Sequence, residues 1–84
     1  MKQIIKIAPL ADYFVVAIKD KSTGELKETF TLNESAADML RLICEGKDSN
    51  TVAQEIADIY NAPIELITKD VTKLIERLRQ KRLI

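Results

Sequence analysis

The hydrophobic period of this chain changes at Asn33, and no loop absorbs the change. Before it, "LKETFTL" alternates. Leu26, Glu28, Phe30 and Leu32 share one face and Lys27, Thr29 and Thr31 the other, the period of two that a strand requires. Immediately after it, Ala36, Ala37, Leu40, Ile43 and Cys44 recur at helical spacing. Asn33 or Ser35 supplies a cap at the junction, and Gly46 suits the helix end. A strand welded to a helix in this way divides the chain into a sheet half and a helical half.

Each half divides further by its own punctuation. "KQIIKI" is a β-branched run that Pro9 should stop, because proline donates nothing to a ladder. "DYFVVAIK" is nearly all apolar, as a central strand flanked on both sides would be. "DKSTGE" carries turn chemistry, with Gly24 free to take positive φ. The expectation is a three-stranded antiparallel meander with strands at about 2–7, 12–19 and 26–32. Three helices are expected to follow at about 34–45, 52–60 and 63–81. Thr51 with Gln54 resembles a capping box for the second, after a polar break "KDSN". Pro63 fits the first turn of the third, whose apolar stripe is Ile64, Ile67, Val71, Leu74, Ile75 and Leu78. The layout is α+β and winged-helix-like, a single domain over residues 1–84.

Chemistry is scarce in this sequence. It has no histidine, one cysteine and two glycines, which leaves no zinc spacing, no disulfide within the chain and no glycine-rich phosphate loop. Cys44 falls on the apolar side of the first helix and reads as a small core residue. The carboxylates are scattered singly, so neither catalysis nor a metal or other cofactor is expected. No apolar run approaches the ~20 residues that span a bilayer, and the N-terminus lacks a signal-peptide pattern. The expected setting is a reducing cytoplasm, with no membrane partner.

Two surfaces remain for binding. On the third helix, Leu66, Lys69, Lys73, Arg77 and Gln80 form an outer ridge, and Asp70 flanks the apolar stripe within reach of Lys73 or Arg77. In a winged-helix DNA-binding regulator such a ridge enters the major groove, and this is the alternative reading. The helix start "PIELIT" is acidic and apolar, and thirteen basic residues balance thirteen acidic ones, so no nucleic acid is expected. The other surface is the free edge of "LKETFTL". Soluble proteins usually blunt such an edge, yet this strand contains no proline, and only Glu28 intrudes on its apolar face. An unblunted edge is a docking slot for an extended peptide or a second copy of the chain. Successive N–H groups along it point alternately inward and outward, and the sequence leaves open which of Glu28 and Thr29 faces out.

From about Tyr13 onward the chain resembles the family of coenzyme PQQ synthesis protein D. "LNESAADML" with the following "CEG", the spacing of "VAQEIADIY", and "DVTKLIERLRQKRLI" carry the resemblance. One departure is Arg82, where the family usually has glycine before the final apolar pair. The resemblance implies a non-catalytic adaptor that takes the leader segment of a ribosomally made precursor peptide as an added strand. It implies presentation of that peptide to a radical-SAM enzyme, with the third helix as the other wall of the slot. The residues expected to meet peptide are Lys27, Glu28, Thr29, Phe30 and Thr31 on the strand and Asp70, Lys73, Leu74 and Arg77 on the helix. A homodimerising accessory subunit is the third reading.

Overall fold

A computed structural model describes residues 3–83. Three strands come first, β1 (Gln3–Leu10), β2 (Tyr13–Asp20) and β3 (Leu26–Leu32), followed by α1 (Glu34–Cys44), α2 (Ser49–Tyr60) and α3 (Ile64–Gln80). The strands form one antiparallel sheet in the order β1-β2-β3, so the expected α+β class and meander hold. The chain divides into a sheet unit that ends at Glu34 and a helical unit that begins at Ser35.

In the sheet unit, β2 is apolar because it is central, and Val16 and Ile18 are buried on one face together with Leu32 of β3. Pro9 does not stop β1, which runs on to Leu10 and pairs Pro9 with Phe14. The reason lies in the phase of the ladder. Leu10 and Tyr13 flank a two-residue turn, Ala11-Asp12, and must exchange hydrogen bonds. Even-numbered residues of β1 therefore face β2, and Pro9 falls where its missing N–H would have pointed outward. Ala11 takes φ 56° in that turn, a left-handed conformation that glycine adopts more easily.

The β2–β3 loop is built around Asp20. Its Oδ1 accepts from the backbone N–H groups of Ser22 (2.8 Å) and Thr23 (3.1 Å), and Gly24 closes the turn at φ 73°. Those N–H groups, Thr23 first, hold the Asp20 carboxyl below the usual carboxylate range.

In the helical unit, Ala37, Met39 and Leu40 of α1 are buried, as are Val52, Ala53, Ile56 and Ala57 of α2. On α3 the buried residues are Ile67, Val71, Leu74 and Leu78, four members of the expected stripe. Cys44 is exposed at the end of α1, contrary to its expected place in the core. The apolar side of α1 ends a turn earlier, with Met39 and Leu40 carrying the burial. Helix α2 begins earlier than Thr51 and Gln54 suggested. Asp48 is its N-cap, with the side chain accepting from the Thr51 N–H at 2.8 Å, so Ser49 and Asn50 belong to the helix rather than to a loop. The Tyr60 hydroxyl donates to Asp38 Oδ2 at 2.6 Å and ties α2 to α1, while Lys47 bridges to Glu55 at 2.9 Å.

Pro63 is the N-cap of α3 rather than its first turn. At the other end, the helix stops with Arg82 at φ 60°. The Arg82 N–H donates to the Arg79 carbonyl and the Leu83 N–H to the Leu78 carbonyl, both at 2.9 Å, a full Schellman closure. Arginine thus takes the left-handed position instead of letting the helix fray, and Leu83 is buried behind it.

Candidate functional site

Of the two outer strands of the sheet, β1 and β3, only β1 carries a proline among the described residues. The phase of β3 follows from β2. The Asp20 N–H donates to the Glu25 carbonyl at 2.8 Å, so the even-numbered residues of β2 face β3. Their partners are Leu32 opposite Phe14, Phe30 opposite Val16 and Glu28 opposite Ile18. These three residues spend their backbone groups inside the sheet. Thr29 and Thr31 then direct N–H and C=O away from it, toward the edge. Among the described residues no strand lies beyond β3.

The edge has a defined end. The register slips between Ile18 and Lys19, whose partners are Glu28 and Leu26, so Lys27 is an extra residue. This β-bulge breaks the alternation read from sequence. Leu26 does not share the buried face with Phe30 and Leu32 but is 54% exposed. Lys27 extends its ammonium toward Asp20, with Nζ 3.9 Å from Oδ2. The regular part of the edge therefore runs from Glu28 to Leu32. Its side chains alternate: Glu28 and Phe30 half-buried, Thr29 and Thr31 exposed.

The remaining expected site residues lie on α3. Asp70, Lys73 and Arg77 are exposed there, three and four residues apart on one ridge. Leu74 belongs to the buried stripe and keeps only 6% of its surface exposed. The strand set and the helix set each belong to their own unit.

Partial burial pushes the Cys44 thiol up. Among the described residues no three His, Cys, Asp or Glu gather into a metal site, and no helix is long and apolar enough to cross a membrane.

The bulge at Lys27 was the element missed from the sequence. Its one signal was two charged residues side by side, Lys27 and Glu28, in an otherwise alternating strand.

Among the described residues, three antiparallel strands, an outer strand β3 without proline and three helices define an α+β fold of the meander-plus-helices type. Residues 15–84 match the family model described as coenzyme PQQ synthesis protein D (PqqD), and the chain belongs to that family. Among solved structures it is similar to "TbiB1 in complex with the TbiA(beta) leader peptide", with a TM-score of 0.68 and 22% identity over 99% of this chain and 93% of that one. It is also similar to "Lasso peptide synthetase B1 complexed with the leader peptide", with a TM-score of 0.66 and 21% identity over 96% of this chain and 94% of that one. At such identities the likeness is one of fold. No curated protein matches the chain.

Proposed function

We propose that this protein is a non-catalytic adaptor that binds the leader segment of a precursor peptide as a fourth strand on the outer edge of β3. The observation that carries the reading is the outward pair, Thr29 and Thr31, on an edge without proline. A peptide laid antiparallel there exchanges both backbone hydrogen bonds with each threonine, four bonds in all, and extends a sheet already wholly antiparallel. Support comes from the two similar structures, each a complex with a leader peptide, and from membership of the PqqD family. Lys73 and Arg77 are the part of α3 proposed to meet acidic residues of the leader, with Asp70 beside them. Leu74 shapes that helix from its buried side. The adaptor then hands the precursor to a maturation enzyme, of the radical-SAM type on the family resemblance. A DNA reader fits less well: the net charge is zero and the first turn of α3 carries Glu65.

Amide hydrogen exchange read by NMR tests the proposal, with synthetic leader peptides as the probes. Saturating leader should slow exchange at Thr29 and Thr31, while Phe30, already bonded to β2, changes little. Binding that leaves both threonine amides as fast as in the free protein would place the peptide elsewhere.

A further inference from the structure

Three polar side chains on one flank of α2 have no bonding partner within the fold. Gln54, Asp58 and Asn61 follow one another at spacings of four and three, so they stand in a row along the helix surface. With Ala57, Ala62 and Ile64 they line a groove of about 470 Å³ where α2 turns into α3. Among the described residues no hydrogen bond or ion pair reaches any of the three side chains. Residues 48–68 hold four acidic residues and no lysine or arginine, so nothing in this stretch neutralises Asp58. Two of its other acids are already engaged: Asp48 caps α2, and Glu55 pairs with Lys47 at 2.9 Å.

The donors and acceptors define the occupant. Gln54 and Asn61 each present an amide donor and a carbonyl acceptor, the same pair that a peptide group offers. Asp58, between them, only accepts, and it carries the charge. At about 1.5 Å of rise per residue the row is roughly 10 Å long, the reach of some three residues of extended chain. The groove is also of the size that holds a many-atom ligand rather than a single ion.

We propose that this groove binds an arginine-bearing segment of a partner protein. The guanidinium meets Asp58, its methylene stem lies on Ala62 and Ile64, and the flanking peptide groups meet Gln54 and Asn61. Arginine suits Asp58 better than lysine does, because its planar fork donates both bonds of a bidentate pair. An exposed ion pair alone contributes little, so the two carboxamides and the apolar wall supply the selectivity. All the lining residues belong to the helical unit, so the proposal stands or falls independently of strand addition at β3.

The test is an NMR titration of the whole protein with the peptide acetyl-Ala-Ala-Arg-Ala-Ala-amide. A second peptide carries citrulline in place of arginine, which keeps the shape and loses the charge. The side-chain amide resonances of Gln54 and Asn61 report occupancy directly. The arginine peptide should shift both along a saturating curve, and the citrulline peptide should bind at least tenfold more weakly. Asp58→Asn, at an exposed position, should keep the wild-type Tm and weaken the arginine peptide by a similar factor. Glu65→Gln, also exposed but outside the groove, should leave the affinity as it is. Equal affinity for the two peptides, or equal losses in the two variants, would reduce the site to general attraction between opposite charges and overturn the proposal. Unmoved carboxamide resonances up to about 10 mM arginine peptide would overturn it as well.

Discussion

Proline at Glu28 and proline at Thr29 should give opposite outcomes, although the two positions are adjacent. Glu28 pairs with Ile18, and its N–H lies inside the sheet. Proline there deletes one ladder bond, worth about 0.5–1.5 kcal/mol net, and strands an acceptor on Ile18 at a further cost of about 1–3 kcal/mol. Ile18 is only 1% exposed, so water does not repair the loss. The sum, roughly 2–4 kcal/mol, is a large part of the roughly 4–13 kcal/mol that a chain of 84 residues has in total. Thr29 points its N–H outward, so proline there removes no bond within the fold and should cost about 1 kcal/mol or less, the residue being on an edge strand. For the leader the ranking reverses. Thr29→Pro removes a donor and leaves a peptide carbonyl unpaired, a loss of about 1.5–3 kcal/mol or some ten- to hundredfold in Kd. Thermal melts of both variants and calorimetric titration of the folded one give the answer. A Thr29→Pro protein that unfolds beside a stable Glu28→Pro would invert the phase assigned to β3. A stable Thr29→Pro that binds leader like wild type would remove the edge from the site.

Three further outcomes follow from the helical unit. Arg82→Gly relieves a left-handed arginine and should raise stability by about 1 kcal/mol, read as a higher Tm. Asp48 has its carboxyl held low, chiefly by the Thr51 N–H, so the stability it contributes is complete above the ordinary carboxylate pKa of about 3.9 and is lost as pH falls through its lower folded value. Asp48→Ala should therefore lower Tm at pH 7 and converge with wild type near pH 2. Leu74→Ala should cost about 2–4 kcal/mol, whereas Lys73→Glu should leave Tm nearly unchanged and weaken leader binding, measured by titration.

Most of the architecture was legible because it depends on local period. The switch at Asn33 and the central position of β2 are visible in residue spacing alone and hold, as does the α3 stripe from Ile67 to Leu78 apart from half-buried Ile75, while Ile64 at its start is exposed. The errors at Pro9 and Leu26 share a cause: each residue's role is set by its register against the neighbouring strand. Pro9 looks like a stop until the Leu10–Tyr13 pairing places its nitrogen outward. Leu26 looks like core until the slip opposite Ile18 inserts Lys27. Asp48 shows the weaker local error, since several neighbouring residues are acceptable caps and only the hydrogen bonds choose among them. As for the site, the absence of proline in β3 exposes the edge in the sequence. Its phase does not appear there, because the β1–β2 turn and the Asp20–Glu25 bond set it.

Pro9 also governs how many neighbours a free molecule can hold. A sheet with two usable edges has a valence of two and grows without limit, the route to fibres. Here Pro9 removes an outward donor from β1, whereas β3 keeps all of its own. The valence is closer to one. Two molecules that meet β3 to β3 would form a six-stranded sheet ended on both sides by a proline-bearing β1, and growth would stop there. A leader peptide and a second copy of the chain then compete for a single seat. Were such a pair to form at high concentration, it would close the docking edge without propagating, and leader peptide would recover the edge by mass action.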